Sequence, residues 1–180
     1  MSKVGLVYYS KTDITGRLVH AAISELEESD VKVFCHQIQG SEIIEGRFVN
    51  TTVFESLADC DAIVFASPTY MGGVAAQFKA FADASSVVWG SQGWSGKFAS
   101  GITSGTALNG DQSSTLQYLV TLASQHGMVW VGLDGASQNE NIDRLGCQLG
   151  VVSQSDDGEV DEVDLATARH LVKRVFHILR

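Results

Sequence analysis

Ser10, Thr12 and Thr15 fall within six residues, SKTDIT, set between an apolar run and an amphipathic one. Hydroxyls at that spacing, just before a helix start, suit a phosphate. The first amides of a helix have no partner inside it, and the helix dipole favours an anion there. A terminal monophosphate fits so short a loop better than a pyrophosphate. Asp13 runs against this reading because it puts a carboxylate inside the grip, and Ser, Thr and Asp also dominate ordinary helix caps. On these residues alone, anion site and capped turn stand level.

Two later stretches carry chemistry of a different kind. PTYMGG, Pro68 to Gly73, follows directly on an apolar run. Pro68 fixes φ and is expected to bend the chain away from the strand end, while Gly72 and Gly73 let backbone approach a flat ligand. Tyr70 and Met71 stand where a ring can be packed; the same residues also make a plain turn with an apolar plug. SGTALNGD, Ser104 to Asp111, combines Gly105 and Gly110 with Ser104, Thr106 and Asn109. A loop so small and donor-rich can hydrogen-bond the edge of a heterocycle, although surface loops share its composition. Neither G-x-G-x-x-G nor G-x-x-x-x-G-K-[ST] occurs, so the dinucleotide fingerprint and the nucleoside-triphosphate loop are both excluded.

These loops need strands to carry them. Lys3 to Tyr9, Val31 to Ile38, Asp61 to Ser67, Lys97 to Thr103 and Met128 to Leu133 are short β-branched or aromatic runs, most without polar alternation. That is the mark of strands buried on both faces. Between them, Ile14, Leu18, Ala22 and Leu26 share one helical stripe. Val74, Phe78, Phe81 and Ala82 mark a second, and Leu116, Leu119, Val120 and Ala123 a third. A last helix runs from Leu165 to Leu179. The alternation predicts βαβ units, a parallel sheet and right-handed crossovers in one domain spanning 1–180. The loops after the first, third and fourth strands then meet at the carboxyl edge of the sheet, where such folds bind ligands. Gln39 to Thr52 reads as a loop leading into a short helix near Val53 to Leu57. Asp134 to Ser155 reads as an irregular stretch, and the six carboxylates of Asp156 to Asp164 as a solvated linker and helix start.

The bulk numbers narrow the partners. With 12 basic and 21 acidic residues the formal charge is −9, which disfavours nucleic acid and anionic lipid surfaces. No segment approaches the ~20 apolar residues of a membrane span, and the first residues do not read as a secretory signal. Cys35, Cys60 and Cys147 are odd in number and far apart, which fits a reducing cytoplasm rather than disulfides or zinc. No metal site is expected. His20 and His36 carry no constellation; His170 and His177 share a helix face without a third ligand.

SKTDIT resembles the phosphate loop of flavodoxin-like proteins, usually S/T-x-T-G-x-T, with Asp13 in the glycine position; ASPTYMGGVAAQFKAFAD resembles their flavin loop and the helix after it. The stretch from VVWGSQGW to QHGMVWVGL is similar to the NAD(P)H:quinone oxidoreductases of the tryptophan-repressor-binding-protein type. The resemblance runs from Val4 to Leu133 and is most specific at Pro68 to Gly73 and His126 to Met128. It implies a flavodoxin-like doubly wound α/β fold, a five-stranded parallel sheet of order 2-1-3-4-5 with helices on both faces. It implies one non-covalent FMN, its phosphate on Ser10, Lys11, Thr12, Asp13, Ile14 and Thr15. The isoalloxazine would lie against Pro68, Thr69, Tyr70, Met71 and Gly72, with its polar edge facing Thr103, Ser104, Gly105, Thr106, Asn109 and Gly110. His126 and Tyr70 are the candidate catalytic side chains, and Trp89 and His126 line the substrate pocket, Trp89 from a neighbouring subunit of a homo-dimer or homo-tetramer.

The implied activity is a ping-pong transfer of hydride from NAD(P)H through FMN to a quinone. A flavodoxin-type electron carrier serving basic protein partners is the alternative, since an acidic surface steers such encounters. A flavin-free interaction module is a third reading, with Asp13 as its best support.

Overall fold

A computed structural model describes residues 2–134 and 141–180. β1 (Lys3–Tyr8) leads into α1 (Ile14–Glu28) and β2 (Lys32–Gln37). A 3-10 turn at Gly40–Glu42 precedes a small hairpin of β3 (Ile43–Ile44) and β4 (Arg47–Phe48), then α2 (Thr52–Ala58). β5 (Ala62–Tyr70), β6 (Gly73–Val74), α3 (Ala76–Ala84), α4 (Ser86–Trp89) and β7 (Phe98–Gly105) follow. The chain ends with α5 (Gln112–Gln125), β8 (Val129–Trp130), β9 (Val151–Gln154) and α6 (Glu162–Ile178).

The main sheet runs β2-β1-β5-β7, all parallel, with β8 and β9 both paired to β7 at its outer edge. This is the doubly wound five-stranded order the resemblance implies. Side-chain alternation explains it. Val4, Leu6 and Tyr8 of β1 enter one core with α1 and α6; Val7 enters the other, with Phe54, Phe78, Phe81 and Leu119 from α2, α3 and α5. Both faces of each central strand are covered, so no polar alternation survives in sequence. Each fully buried Leu or Phe contributes roughly 1.5–3 kcal/mol over its exposed state.

The fifth strand departs from expectation. Met128 to Leu133 contributes only β8, two residues against Phe98 and Ala99; the rest of the edge is β9, paired with Ile102 to Gly105. β9 lies in the stretch read as irregular, whose residues 135–140 fall outside the described residues. Val151 is fully buried, and a Cβ on Gly150 would collide with the Gly101 carbonyl, so only glycine lets the chain rejoin β7 there. Gln39 to Thr52 is also more ordered than a loop: Phe48 of its hairpin is buried against Phe54 and Phe81. Val74 belongs to β6, not to the helix that starts at Ala76.

The acidic stretch is not simply solvated. Asp161 caps α6 through the Val163 amide, but Asp164 is 1% exposed and takes Arg144 through Oδ1 at 2.7 Å and Oδ2 at 2.8 Å. Two histidines also gain partners, His36 with Glu42 at 3.0 Å and His170 with Asp134 at 2.7 Å. Hydrogen bonds from Asn50, from the Gln39 amide and from His36 hold the Glu42 carboxyl below the usual range, outweighing the opposing effect of its burial. Among the described residues no helix is long and apolar enough to cross a membrane.

Candidate functional site

The first loop leaves β1 with the Tyr9 amide still bonded to the Ala66 carbonyl, then turns sharply into α1. The turn is made at Asp13, whose φ of 67° is left-handed, the conformation for which Asp is tolerated in place of glycine. Gly16 donates its amide to Ser10 Oγ at 3.1 Å and Arg17 to the Asp13 carbonyl at 2.8 Å. The amides of Ile14 and Thr15 head the helix with no acceptor among the described residues, which is the donor set an anion needs. The Asp13 carboxylate caps no amide. It lies back over Gly16, where an added Cβ would sit 2.5 Å from Oδ1. Lys11 and Thr12 are exposed beside it. The Thr15 hydroxyl is buried and spans to Ser104 Oγ at 2.8 Å, so it joins two loops rather than pointing into the grip.

The second loop is a tight hairpin. β5 pairs with β7 as far as Pro68↔Ser104, then with β6 through Thr69↔Val74 and Tyr70↔Gly73. Pro68 therefore does not bend the path away; it is where the strand changes partner. Met71 and Gly72, at φ 50° and 76°, form the positive-φ pair that a two-residue primed turn requires. Met71 is fully exposed at the tip, and Tyr70 is 41% exposed. Burial and the neighbouring Tyr9 push the Tyr70 phenol above its ordinary value, so it keeps its proton at neutral pH and can donate a hydrogen bond.

Three threonines brace this hairpin. Thr103 donates to the Ser67 carbonyl at 2.8 Å, so its oxygen accepts from Thr69, which in turn accepts from Thr115; both contacts are 2.8 Å. Thr103 is fully buried, so its hydroxyl braces the loop from beneath. Thr115 carried no signal in sequence, since its role depends on where α5 begins.

The third loop runs from Gly105 into Asp111, which is left-handed at φ 60° and precedes α5. Thr106 and Asn109 are exposed, Gly105 and Gly110 half-buried, and Leu108 is 72% exposed. The Gln112 side chain folds back across it, with Nε2 lying 2.6 Å from where a Gly105 Cβ would be. Any other residue at 105 would displace that amide. Neither Gln112 nor Gln154, which bonds the Thr106 carbonyl, carried a signal in sequence.

The three loops thus converge at the carboxyl ends of β1, β5 and β7. His126 and Trp89 do not join them. His126 ends α5, a 14-residue helix that spans ~21 Å from the third loop. With Trp89, Ser85, Tyr118 and Leu122 it lines a separate cleft of about 380 Å³. Ser85 Oγ donates to the Ala82 carbonyl at 2.7 Å and lies 2.8 Å from His126 Nε2, which therefore carries the proton. Nδ1 has no partner among the described residues, and the ring packs on Trp94 with centroids 4.4 Å apart. Burial holds its pKa below the usual histidine value. In this chain His126 is a core histidine remote from the loops, and Trp89 is 49% exposed.

A monophosphate tethered to a flat, acceptor-edged ring fits this donor set: free helix amides at one end, a hairpin in the middle and a glycine-based loop at the other. Residues 8–140 match the NADPH-dependent FMN reductase family. Flavodoxin FldP of Pseudomonas aeruginosa is 35% identical over 99% of this chain and 97% of its own. An NAD(P)H dehydrogenase (quinone) of Archaeoglobus fulgidus is 29% identical over 99% of this chain and 97% of its own. The crystal structure of a flavodoxin, WrbA-like protein from Agrobacterium tumefaciens superposes with a TM-score of 0.78 at 36% identity, covering 99% of this chain and 97% of that one. The chain belongs to the NADPH-dependent FMN reductase family and is a flavodoxin-like FMN oxidoreductase of the WrbA type.

Proposed function

We propose that this single domain, residues 1–180, uses non-covalent FMN to pass electrons from NAD(P)H to a quinone, two at a time, in a ping-pong cycle. The observation that carries the reading is the head of α1, where the Ile14 and Thr15 amides stand without acceptors among the described residues, tied by Thr15 to the loop at the other end of the crevice. When bound, FMN supplies the redox chemistry, accepting hydride from the nicotinamide and returning it to the quinone. The protein supplies position. Ser10 and the helix amides would hold the phosphate, Thr69, Tyr70, Met71 and Gly72 would place the ring, and the loop of Gly105, Thr106, Asn109 and Gly110 would meet its polar edge, the donors coming from the amides of Thr106 and Asn109. Protonated Tyr70, half-exposed at the hairpin, is placed to hydrogen-bond an incoming carbonyl oxygen. One open crevice receives donor and acceptor in turn.

Trp89 and His126 serve such a site only from a neighbouring subunit. A homo-dimer or homo-tetramer would bring their cleft over another subunit's flavin. Three free cysteines suit a reducing cytoplasm as the place of action.

A flavodoxin-type carrier for a basic protein partner is the second reading. It is favoured by Met71 and Leu108, 104% and 72% exposed on the two loops flanking the crevice, and by the charge of −9. FMN titration followed by visible spectroscopy, then a steady-state NADPH–quinone assay, separates the readings. Turnover with a soluble quinone supports the enzyme; bound FMN that no nicotinamide reduces without a second protein overturns it.

A further inference from the structure

The third loop is held by two glutamine side chains from opposite directions. Gln112, 5% exposed, accepts from the Gly110 amide at 3.0 Å and donates to the Ala107 carbonyl at 2.7 Å. Gln154, the last residue of β9, donates to the Thr106 carbonyl at 2.8 Å. The next residue, Ser155, gives its amide to the Gly105 carbonyl at 3.0 Å. Three consecutive carbonyls, of Gly105, Thr106 and Ala107, are thereby occupied by donors of the protein. The amides of Thr106, Ala107, Leu108 and Asn109 show the reverse: none has an acceptor among the described residues, and all four residues are exposed.

A loop whose carbonyls at Gly105, Thr106 and Ala107 are taken while its amides from Thr106 to Asn109 are free prefers, along that stretch, a ligand edge that is rich in acceptors and gains negative charge. A carboxamide serves Gly110 and Ala107 together because it carries a donor and an acceptor on one planar group; a carboxylate would lose the bond to Ala107. Gln154 adds a link the other side chains lack, since it couples the loop to the edge strand and so to Arg144, which bonds the Gln154 carbonyl at 3.1 Å.

Resting on the FMN reading above, we propose that Gln112 and Gln154 are positioning residues: they fix the third loop with its amides free, and so hold reduced FMN more tightly than oxidised FMN. Neither touches the flavin. Their effect falls on the difference between the two redox states, because only the reduced ring brings extra negative charge to its polar edge.

The test uses the full chain reconstituted with FMN, comparing wild type with Gln154→Met and Gln112→Met. Dissociation constants for oxidised and reduced FMN, the midpoint potential by spectroelectrochemistry and the melting temperature of the apoprotein are measured together. The expected result is that reduced FMN weakens about tenfold more than oxidised FMN, which for a two-electron couple lowers the midpoint by about 30 mV. Gln154 is the half-buried last residue of β9 whereas Gln112 is buried, so its variant folds even if Gln112→Met does not, and it decides the matter alone. Equal weakening in both redox states, with an unmoved potential, overturns the proposal and leaves the FMN reading intact. A wild type that takes up no FMN overturns both.

Discussion

The hydroxyls of Thr15 and Ser104 lie 2.8 Å apart although 89 residues separate them in the chain. Thr15 stands in the first turn of α1 and Ser104 near the end of β7, so one buried bond sets the distance between the phosphate grip and the ring-edge loop. Ser104→Ala strands the Thr15 hydroxyl without a partner, at a cost of about 1–3 kcal/mol. Adding Thr15→Val removes the stranded group and recovers part of that loss. Thermal melts of both single variants and the double give the coupling, expected near 1 kcal/mol. Strict additivity would show that the contact ties nothing together.

Asp13→Gly is expected to tighten FMN binding. The left-handed turn costs glycine nothing, whereas Asp13 sets a carboxylate against the helix end that must receive a phosphate. The gain is about three- to tenfold in low salt and shrinks as salt screens the repulsion. Fluorescence titration of FMN at two ionic strengths measures it. Unchanged or weaker binding would assign Asp13 a supporting part in the grip.

Acid should destabilise the fold through His126. Its neutral ring is the folded form: Nε2–H is given to Ser85, Nδ1 has no partner among the described residues, and burial depresses the pKa. As pH falls through about 6.5 the unfolded chain takes up the proton first, so stability is lost from there downward. His126→Phe keeps the packing on Trp94 and leaves Ser85 bonded to Ala82. Melting temperatures at about pH 7.5 and about pH 5.5 should then diverge less in the variant than in wild type. Parallel drops would clear His126 of the effect.

Arg144→Met leaves the Asp164 carboxylate, 1% exposed, without its cation, a loss of about 3–5 kcal/mol. Asp164→Leu in the same chain removes the stranded charge and should restore much of the stability. Urea denaturation of the single and double variants distinguishes this from a surface pair, for which both changes would be small.

The parts of the molecule that local periodicity writes were legible. α1, α5 and α6 follow their apolar stripes, and the unbroken runs of β1 and β5 announce strands covered on both faces. The three loops were legible as a set because they follow strand ends. β9 was not, since its four residues carry only two apolar side chains and lie in a glycine-rich stretch; what makes it a strand is the free edge of β7. The remoteness of His126 follows from the length of α5, and resemblance alone obscured it. Thr15, Thr103 and Gln112 show a subtler gap: Thr15 and Thr103 bond across to another loop, and Gln112 bonds back onto the loop that precedes it, none of which residue type alone reveals.

The shared edge on β7 also bears on how the chain behaves in a crowded solution. An exposed strand of five or six residues is a template on which another chain can add, and the row of unpaired backbone groups it offers is the usual start of edge-to-edge aggregation. Here that edge is broken into pieces of two and four residues, β8 and β9. An incoming strand finds no continuous row to zip along, so the interruption that hides the fifth strand in the sequence also keeps that side of the sheet from recruiting copies of itself.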